Sequence, residues 1–545
     1  MMDGWLATEL GRLFLLLAAV APSLAAQTWK PAVSPNPLPH FETVNEKRVF
    51  FADGLPFTVL TVETHWDELI YGRYAETMHV YDYMYPAAEA MGLNALKVPI
   101  KWSVVEPSEG RYDFSYVDHV RRMAERHHLK LVLCWFGHYA SGAGTIYSDL
   151  AGNVFAPMYI IQDTARFPRA VDADGEPHHD AASYDDPAIV ERESVAFGAF
   201  MGHLRRVDTK RTVLMIQVEN EVAVFGAGAD FTWRGIPKFW RDHSPASNRK
   251  FAQKGFKDDL AYSAWNLAAN WLRPVTDAGV KAYPIPFFLN FVGGSLAEGM
   301  LGGSPGEDVA TYLENIPGVA FIGVNHYPTW GEKTPAPVSI PASALRKTLD
   351  RYRIGRNIPT LTETNSDNSP LAPRFVFISV GEYGSPLFAP WALSWSCPTD
   401  GEPYVQKDGT LANGAFALRE AYTAIRKGGP AIAQFGGTER AKVFLAQMPG
   451  YRFKETKNVA GIVVTVSGVN NGQAIAIRPA DSELLVVGFR CTVVANTGAG
   501  DRAVKAEKGG WAGDQWVAEG PARFEAANGE VRLALAEPQA VRIYW

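Results

Sequence analysis

Along most of the chain, short apolar runs alternate with segments whose apolar positions recur every three or four residues. The runs are Pro56–Glu63, Asn94–Ile100, Leu129–Phe136, Thr212–Val218, Tyr283–Asn290, Val319–His326, Pro359–Glu363 and Pro386–Leu393. Helical spacing fills several of the intervals, at Tyr116–His128, Ile189–Arg206, Asp258–Ala278, Ala342–Arg353 and Asn413–Lys427. Near-continuous apolar strands separated by amphipathic helices predict parallel β-structure covered by helices. Eight such units predict a (β/α)8 TIM barrel with long loops. A doubly wound sheet is the alternative, yet neither GxGxxG nor a GxxxxGK phosphate loop occurs. Two long insertions, Gly137–Asp186 and Phe225–Phe256, follow the third and fourth runs. Both lie where a barrel carries its site, and loops of such length in a compact domain are usually functional.

From about Gly436 the pattern changes. Short runs at Lys442–Met448, Gly461–Val466, Gln473–Ile477, Glu483–Phe489, Val531–Leu535 and Ala540–Trp545 are separated by Gly- and Asn-rich turns such as Asn470-Asn471-Gly472 and Asn528-Gly529. This predicts a barrel domain over 27–435, then a C-terminal antiparallel β-sandwich over 436–545. Ahead of both, residues 1–26 read as an export signal. Leu13 to Val20 is a short apolar run after Arg12, and the small residues Ser23, Ala25 and Ala26 follow Pro22. Asp3 and Glu9 offset Arg12 in that segment. The expected location is periplasmic or secreted. The run is too short for a membrane span, and no other segment reaches about 18 apolar residues.

Composition narrows the function classes. In 545 residues, 52 Lys and Arg stand against 58 Asp and Glu, a formal net charge of -6, which offers no basic footprint for nucleic acid. Aromatics make up 12% of the chain, which suits a sugar-binding cleft and a dense core equally. The three cysteines (Cys134, Cys397 and Cys491) are read as buried small hydrophobes. With no CxxC or HExxH spacing, no metal site is expected, and Asp172-Ala173-Asp174-Gly175 reads as a plain turn.

Two strand ends carry chemistry. Leu214-Met215-Ile216-Gln217-Val218-Glu219-Asn220-Glu221 runs from apolar directly into a polar pair. Ile358-Pro359-Thr360-Leu361-Thr362-Glu363 does the same. Polar and acidic residues are depleted from buried strands, so such clusters need a reason. By ordinal, Glu221 ends strand four and Glu363 strand seven, nearly opposite across an eight-strand barrel. Two carboxyls flanking one bond are what glycoside hydrolysis requires, with one protonated and the other ionised. By strand alternation Glu219 and Glu221 share a side, so the residues alone do not choose between them.

The chain resembles bacterial members of glycoside hydrolase family 35. The resemblance rests on Asn94-Ala95-Leu96-Lys97-Val98-Pro99 with Trp102, on Glu106-Pro107, Gly110 and Tyr112-Asp113-Phe114, on Gln217-Val218-Glu219-Asn220-Glu221 and on the Glu363 strand. It covers roughly residues 45 to 430. It implies a retaining exo-acting β-glycosidase, typically a β-galactosidase, with no metal or organic cofactor and an oligosaccharide or polysaccharide as partner. In that case Glu221 is the acid/base, Glu363 the nucleophile, and Asn220 binds the sugar 2-hydroxyl. Further substrate contacts follow by ordinal: Glu63 and His65 at strand one, Trp135 at strand three, Asn325 and Tyr327 at strand six, and Trp395 beyond strand eight as a sugar platform. Tyr327 could hold the nucleophile ionised. Val62-Glu63-Thr64-His65 and Cys134-Trp135-Phe136-Gly137 depart from the family's usual sequences, which leaves the sugar open. Another β-glycosidase of the same clan (glucosidase, exo-glucosaminidase or endo-glycanase) and a non-catalytic carbohydrate-binding barrel are the alternatives. A homo-oligomer is compatible with the sequence.

Overall fold

The structure is a computed structural model describing residues 28–64, 73–80, 82–140, 155–183, 185–221, 241–292, 305–328, 340–365, 371–394, 403–498 and 504–545. The expected export signal, His65, Trp395 and Cys397 lie outside the described residues, as do parts of both long insertions.

A curled parallel sheet organises the first two thirds of the chain. Its strands are β2 (Ala95–Lys101), β3 (Lys130–Ala140), β4 (Val213–Asn220), β5 (Phe287–Val292), β6 (Val319–His326) and β7 (Thr360–Thr364). They are hydrogen-bonded in the order β7-β6-β5-β4-β3-β2. Two short strands, β1 (Val59–Leu60) and β8 (Leu387–Phe388), form a separate parallel pair. Isolated parallel bridges tie that pair to both edges of the sheet, Glu63 to Lys97 on one side and Asn365 to Trp391 on the other. Every residue of β4 is buried, as expected of a strand covered on both faces.

Helices lie between the strands. In α1 (Ser115–Arg126), Tyr116, Val117, Val120, Met123 and Ala124 are buried, an apolar stripe at helical spacing. Helix α2 (Pro187–Val207) starts with Pro187 in its first turn and with the Asp186 side chain accepting from the Ala188 N–H, which satisfies an otherwise orphan donor. A separate core inside the curl collects Val59, Ala95, Val132, Leu214, Met215, Phe288, Phe321 and Leu387, drawn from seven strands. It plugs one end of the sheet. The polar strand ends described below emerge at the other end.

The antiparallel sheet domain begins after the helix α4 (Asn413–Phe435), preceded by the shorter α3 (Leu371–Phe377). Helix α4 kinks at Gly429, whose φ of 42° is left-handed, just before Pro430. The strands are β9 (Ala441–Leu445), β10 (Phe453–Val459), β11 (Ile462–Ala480), β12 (Glu483–Asn496), β13 (Lys505–Ala512), β14 (Gln515–Pro521), β15 (Phe524–Ala527), β16 (Glu530–Leu535) and β17 (Gln539–Tyr544). The sequence pattern placed a turn at Asn470-Asn471-Gly472 between two strands; the structure runs one strand through it. Asn470 and Asn471 take left-handed φ values of 49° and 62°, and pairing jumps from Gly468–Cys491 to Gln473–Phe489. Residues 469–472 stand opposite Arg490 alone, so the motif is an irregular bulge that bends the ribbon, not a chain reversal. Beyond the bend β12 changes partner, from β17 at Glu483–Gly488 to β16 at Cys491–Asn496. The two halves then face each other over Phe444, Val464, Val466, Leu484, Val486, Val493, Leu533 and Val541.

Asp172 makes a plain turn, its Oδ1 accepting from the Asp174 and Glu176 N–H groups. Cys134 and Cys491 are buried free thiols.

Candidate active site

The polar strand ends converge on one hydrogen-bond network. Glu363, at the end of β7, is almost fully buried and accepts three bonds. Lys97 Nζ lies 3.1 Å and Asn290 Nδ2 3.0 Å from its Oε1, while the Tyr327 hydroxyl donates to Oε2 at 2.7 Å. Both oxygens are thus held, which fixes the plane of the carboxyl group. Glu221, just past β4, is partly exposed. Its Oε1 accepts from Asn325 Nδ2 at 2.9 Å and its own N–H donates to Asn290 Oδ1 at 2.8 Å. The two amides touch, with Asn290 Nδ2 lying 3.2 Å from Asn325 Oδ1. Glu221 and Glu363 therefore sit on one connected network at the same end of the sheet, joined by side chains from β5 and β6.

Backbone conformation at the end of β4 decides what faces the site. Glu219 has φ of 59° and Glu221 φ of 51°, so two left-handed residues flank Asn220. Each costs a non-glycine residue on the order of 1–2 kcal/mol, and strain of this kind persists where the surroundings over-determine it. The strand alternation that put Glu219 and Glu221 on one side is broken here. Glu219 Oε2 accepts from the Gly137 N–H at 3.1 Å, away from the network, while Asn220 and Glu221 both reach Asn290. Asn220 Oδ1 accepts from Gln217 Nε2 and Asn290 Nδ2, each at 2.9 Å, leaving the NH2 end of its amide as the donor to serve a ligand.

Behind Glu363 lies a buried ion triad. Lys97 Nζ is 2.6 Å from Glu63 Oε2 as well as 3.1 Å from Glu363, and none of the three has appreciable exposure. Burial pushes the Glu63 carboxyl well above the usual range, and the Glu363 charge pushes it further, against the attraction of Lys97. The two carboxylates outweigh burial at Lys97 and raise it, so the ammonium stays charged. Burial raises the Tyr327 phenol, and the neighbouring Glu363 and Glu221 charges add to this, which keeps it a neutral donor.

Of the residues singled out from sequence, Glu63, Asn220, Glu221, Asn325, Tyr327 and Glu363 all belong to this network. Trp135 does not, and its reading as a substrate contact is corrected. It is fully buried, stacks on Phe200 with ring centroids 5.4 Å apart, and donates its indole N–H to Glu193 of α2. It points to the helix layer, because the residues of β3 alternate between inside and outside. His326 likewise turns outward, with Nδ1 3.2 Å from the Thr348 hydroxyl. His65 and Trp395 lie outside the described residues. Trp391 instead packs edge-on to Tyr327, centroids 6.5 Å apart, at the edge of the network.

Sequence reasoning missed Lys97, Asn290 and Thr362, whose hydroxyl donates to Asn325 Oδ1 at 2.8 Å. The rule that found Glu221 would have found two of them. Lys97 interrupts Ala95-Leu96-Lys97-Val98, and Asn290 interrupts Phe287-Phe288-Leu289-Asn290-Phe291, each a lone polar residue in an apolar strand.

No known protein-family profile matches the chain. A β-galactosidase from Xanthomonas manihotis is 30% identical over 110 residues, a stretch covering 20% of this chain and 16% of that relative. Among solved structures, the catalytic domain of a β-amylase from Paenibacillus polymyxa aligns with a TM-score of 0.48 at 11% identity, over 66% of this chain and 96% of that one. A β-galactosidase from Rahnella sp. R3 aligns at 0.46 and 15% identity, over 70% and 58%. One from Bacillus circulans sp. alkalophilus aligns at 0.45 and 13%, over 69% and 57%.

Proposed function

We propose that this protein is an enzyme acting on glycosides: a retaining, exo-acting β-glycosidase related to glycoside hydrolase family 35, built on a (β/α)8 barrel and exported. Its substrate in this reading is a terminal β-galactose on an oligosaccharide or plant polysaccharide side chain. The observation that carries it is the joining of Glu221 and Glu363 through the touching amides of Asn290 and Asn325. The stretch shared with the Xanthomonas β-galactosidase supports galactose as the sugar.

The roles follow from the surroundings of each carboxyl. Glu363 accepts from an ammonium, an amide and a phenol, which hold its carboxyl group in one orientation, as a nucleophile aimed at one carbon requires. Its oxygen attacks the anomeric carbon as the glycosidic C–O bond breaks. Glu221, at the exposed rim, gives its proton to the departing oxygen. In the second half, water attacks the same carbon, its proton passes to Glu221, and the bond to Glu363 breaks, so two inversions give net retention. The Asn220 NH2 serves the sugar 2-hydroxyl. Trp391 packs against Tyr327 and backs the edge of the network.

The decisive experiment replaces the nucleophile. Glu363→Gly should lower turnover of a nitrophenyl β-galactoside by several orders of magnitude, and added azide should restore part of it while forming the α-galactosyl azide. Wild-type rates in that variant would refute the assignment. A panel of nitrophenyl glycosides reads the sugar separately: preference for glucoside or N-acetylglucosaminide would change the substrate and leave the mechanism standing.

A further inference from the structure

Away from the network, His79, Asp82 and His119 meet on the surface. His79 and Asp82 lie in the segment leading into the helix Met84–Ala90, and His119 projects from α1. One ligand-capable atom from each lies within 4.8 Å of the other two. The Asp82 carboxylate divides its oxygens between the imidazoles: Oδ2 is 3.2 Å from His79 Nδ1 and Oδ1 is 2.6 Å from His119 Nε2. The rings are edge to face, centroids 4.5 Å apart at 87°, so a nitrogen of each converges on the same carboxylate.

We propose that His79, Asp82 and His119 bind a zinc-class divalent ion. Two imidazole nitrogens and one carboxylate are the donors that such ions select over calcium or magnesium, which take all-oxygen shells. Tetrahedral bonds of about 2.0–2.2 Å place neighbouring ligand atoms somewhat over 3 Å apart, so small side-chain shifts convert the present hydrogen bonds into a coordination shell. On binding, the ion takes the place of the hydrogens shared with Asp82: each neutral ring carries its N–H on the nitrogen facing away and gives the lone pair of the nitrogen that faces Asp82. His119 is fixed in α1 with only 11% of its side chain exposed, while His79 is 63% exposed. One ligand is thus anchored, and the open side admits the ion and a water as fourth ligand. The spacing carries no zinc signature because His119 follows Asp82 by 37 residues, on another element. A bound ion would staple the segment after the first strand onto α1. The site stands independently of the glycosidase reading, since none of its residues touches the network.

The test uses the full chain, stripped with a chelator and titrated with Zn2+ by calorimetry, with Co2+ absorption as a second probe. One equivalent should bind per chain, with visible Co2+ bands and a higher melting temperature. His79→Gln and Asp82→Asn should each weaken binding at least tenfold and abolish the thermal shift, while melting like the stripped wild type. Absence of a stoichiometric site, undiminished binding in both variants, or Ca2+ binding ahead of Zn2+ would overturn the proposal. None of these outcomes bears on glycoside turnover.

Discussion

At the scale of single residues, the donors around Glu363 make separable predictions. Tyr327→Phe removes the phenol's bond to Oε2, a bond from a neutral donor to a carboxylate. Such bonds contribute roughly 1.5–3 kcal/mol, so kcat/KM for whichever nitrophenyl glycoside is turned over should fall about ten- to a hundredfold with the fold unchanged. Lys97→Met is harsher. It leaves Glu63 and Glu363 buried together without their cation, and removing one partner of such a set typically costs about 3–5 kcal/mol. Adding Glu63→Gln should recover much of that loss, because the crowding carboxylate is gone; a chemical denaturation series on the single and double variants reads this directly. The pH dependence has a definite sign. The Glu63 carboxyl titrates above its ordinary 4.5 in the folded protein. Its contribution to stability is therefore complete below about 4.5, the unfolded value, and is lost as pH rises through the raised folded value. Melting temperatures of wild type and Glu63→Gln, taken from pH 4 to 8, should diverge in slope across that window, with the wild type falling relative to the variant. Parallel curves would show that the folded state does not raise the Glu63 carboxyl.

At the scale of elements, the strands were legible because burial on both faces leaves an apolar run bounded by breakers, and each run contains or overlaps a strand that formed. What strand periodicity could not show is where it stops applying. The left-handed residues at 219 and 221 turn Glu219 toward Gly137, Asn220 toward Asn290 and the Glu221 carboxyl toward Asn325, and nothing in the spacing of Gln217-Val218-Glu219-Asn220-Glu221 announces that. Trp135 was misplaced for a related reason. A strand end has two faces, and ordinal position alone does not say which one a side chain takes. The arrangement leans on Gly137. A Cβ built there would lie 2.1 Å from Glu219 Oε1 and 2.2 Å from Glu193 Oε1, so an added methyl group would have to displace both buried carboxyls. Gly137→Ala should push the end of β4 out of place and reduce activity at least tenfold, and it should also lower the melting temperature. Gly198→Ala is the control: it sits on α2, where an added Cβ meets nothing nearer than 3.7 Å, and activity should be unaffected. Equal activity in both variants would mean that the left-handed turn does not depend on this contact.

At the scale of the molecule, period-two alternation in the antiparallel domain serves two cores at once. Along β9, β11, β12 and β17, Val443, Leu445, Ile475, Ile477, Leu485, Val487 and Ala540 join the large core of the first domain. Their neighbours Phe444, Ala474, Ala476, Leu484, Val486 and Val541 fill the core between the two halves of the ribbon. The first set packs with Phe377, Ile378 and residues of α4, and polar ties reinforce the seam: Gln473 Nε2 donates to the Pro373 carbonyl at 2.8 Å and Arg374 to that of Gln447 at 2.9 Å. The N-terminal lead crosses it too, with the Trp29 N–H donating to Glu483 and that of Ala32 to Gln434. An antiparallel sheet follows α4, and composition cannot reveal that the second face of its strands is also buried. This joint packing predicts how the chain unfolds. Domains joined by a linker melt separately, whereas domains that share a core melt together. Calorimetry of the full chain should show one transition, and Val487→Asp, which buries a charge in the seam, should lower that transition as a whole. A chain ending at Gly436 would expose the apolar faces of α3 and α4 and should be recovered only as aggregate. Two resolved transitions, with the first domain melting at the same temperature in Val487→Asp as in wild type, would show that the antiparallel domain is an appendage and that the site does not depend on it.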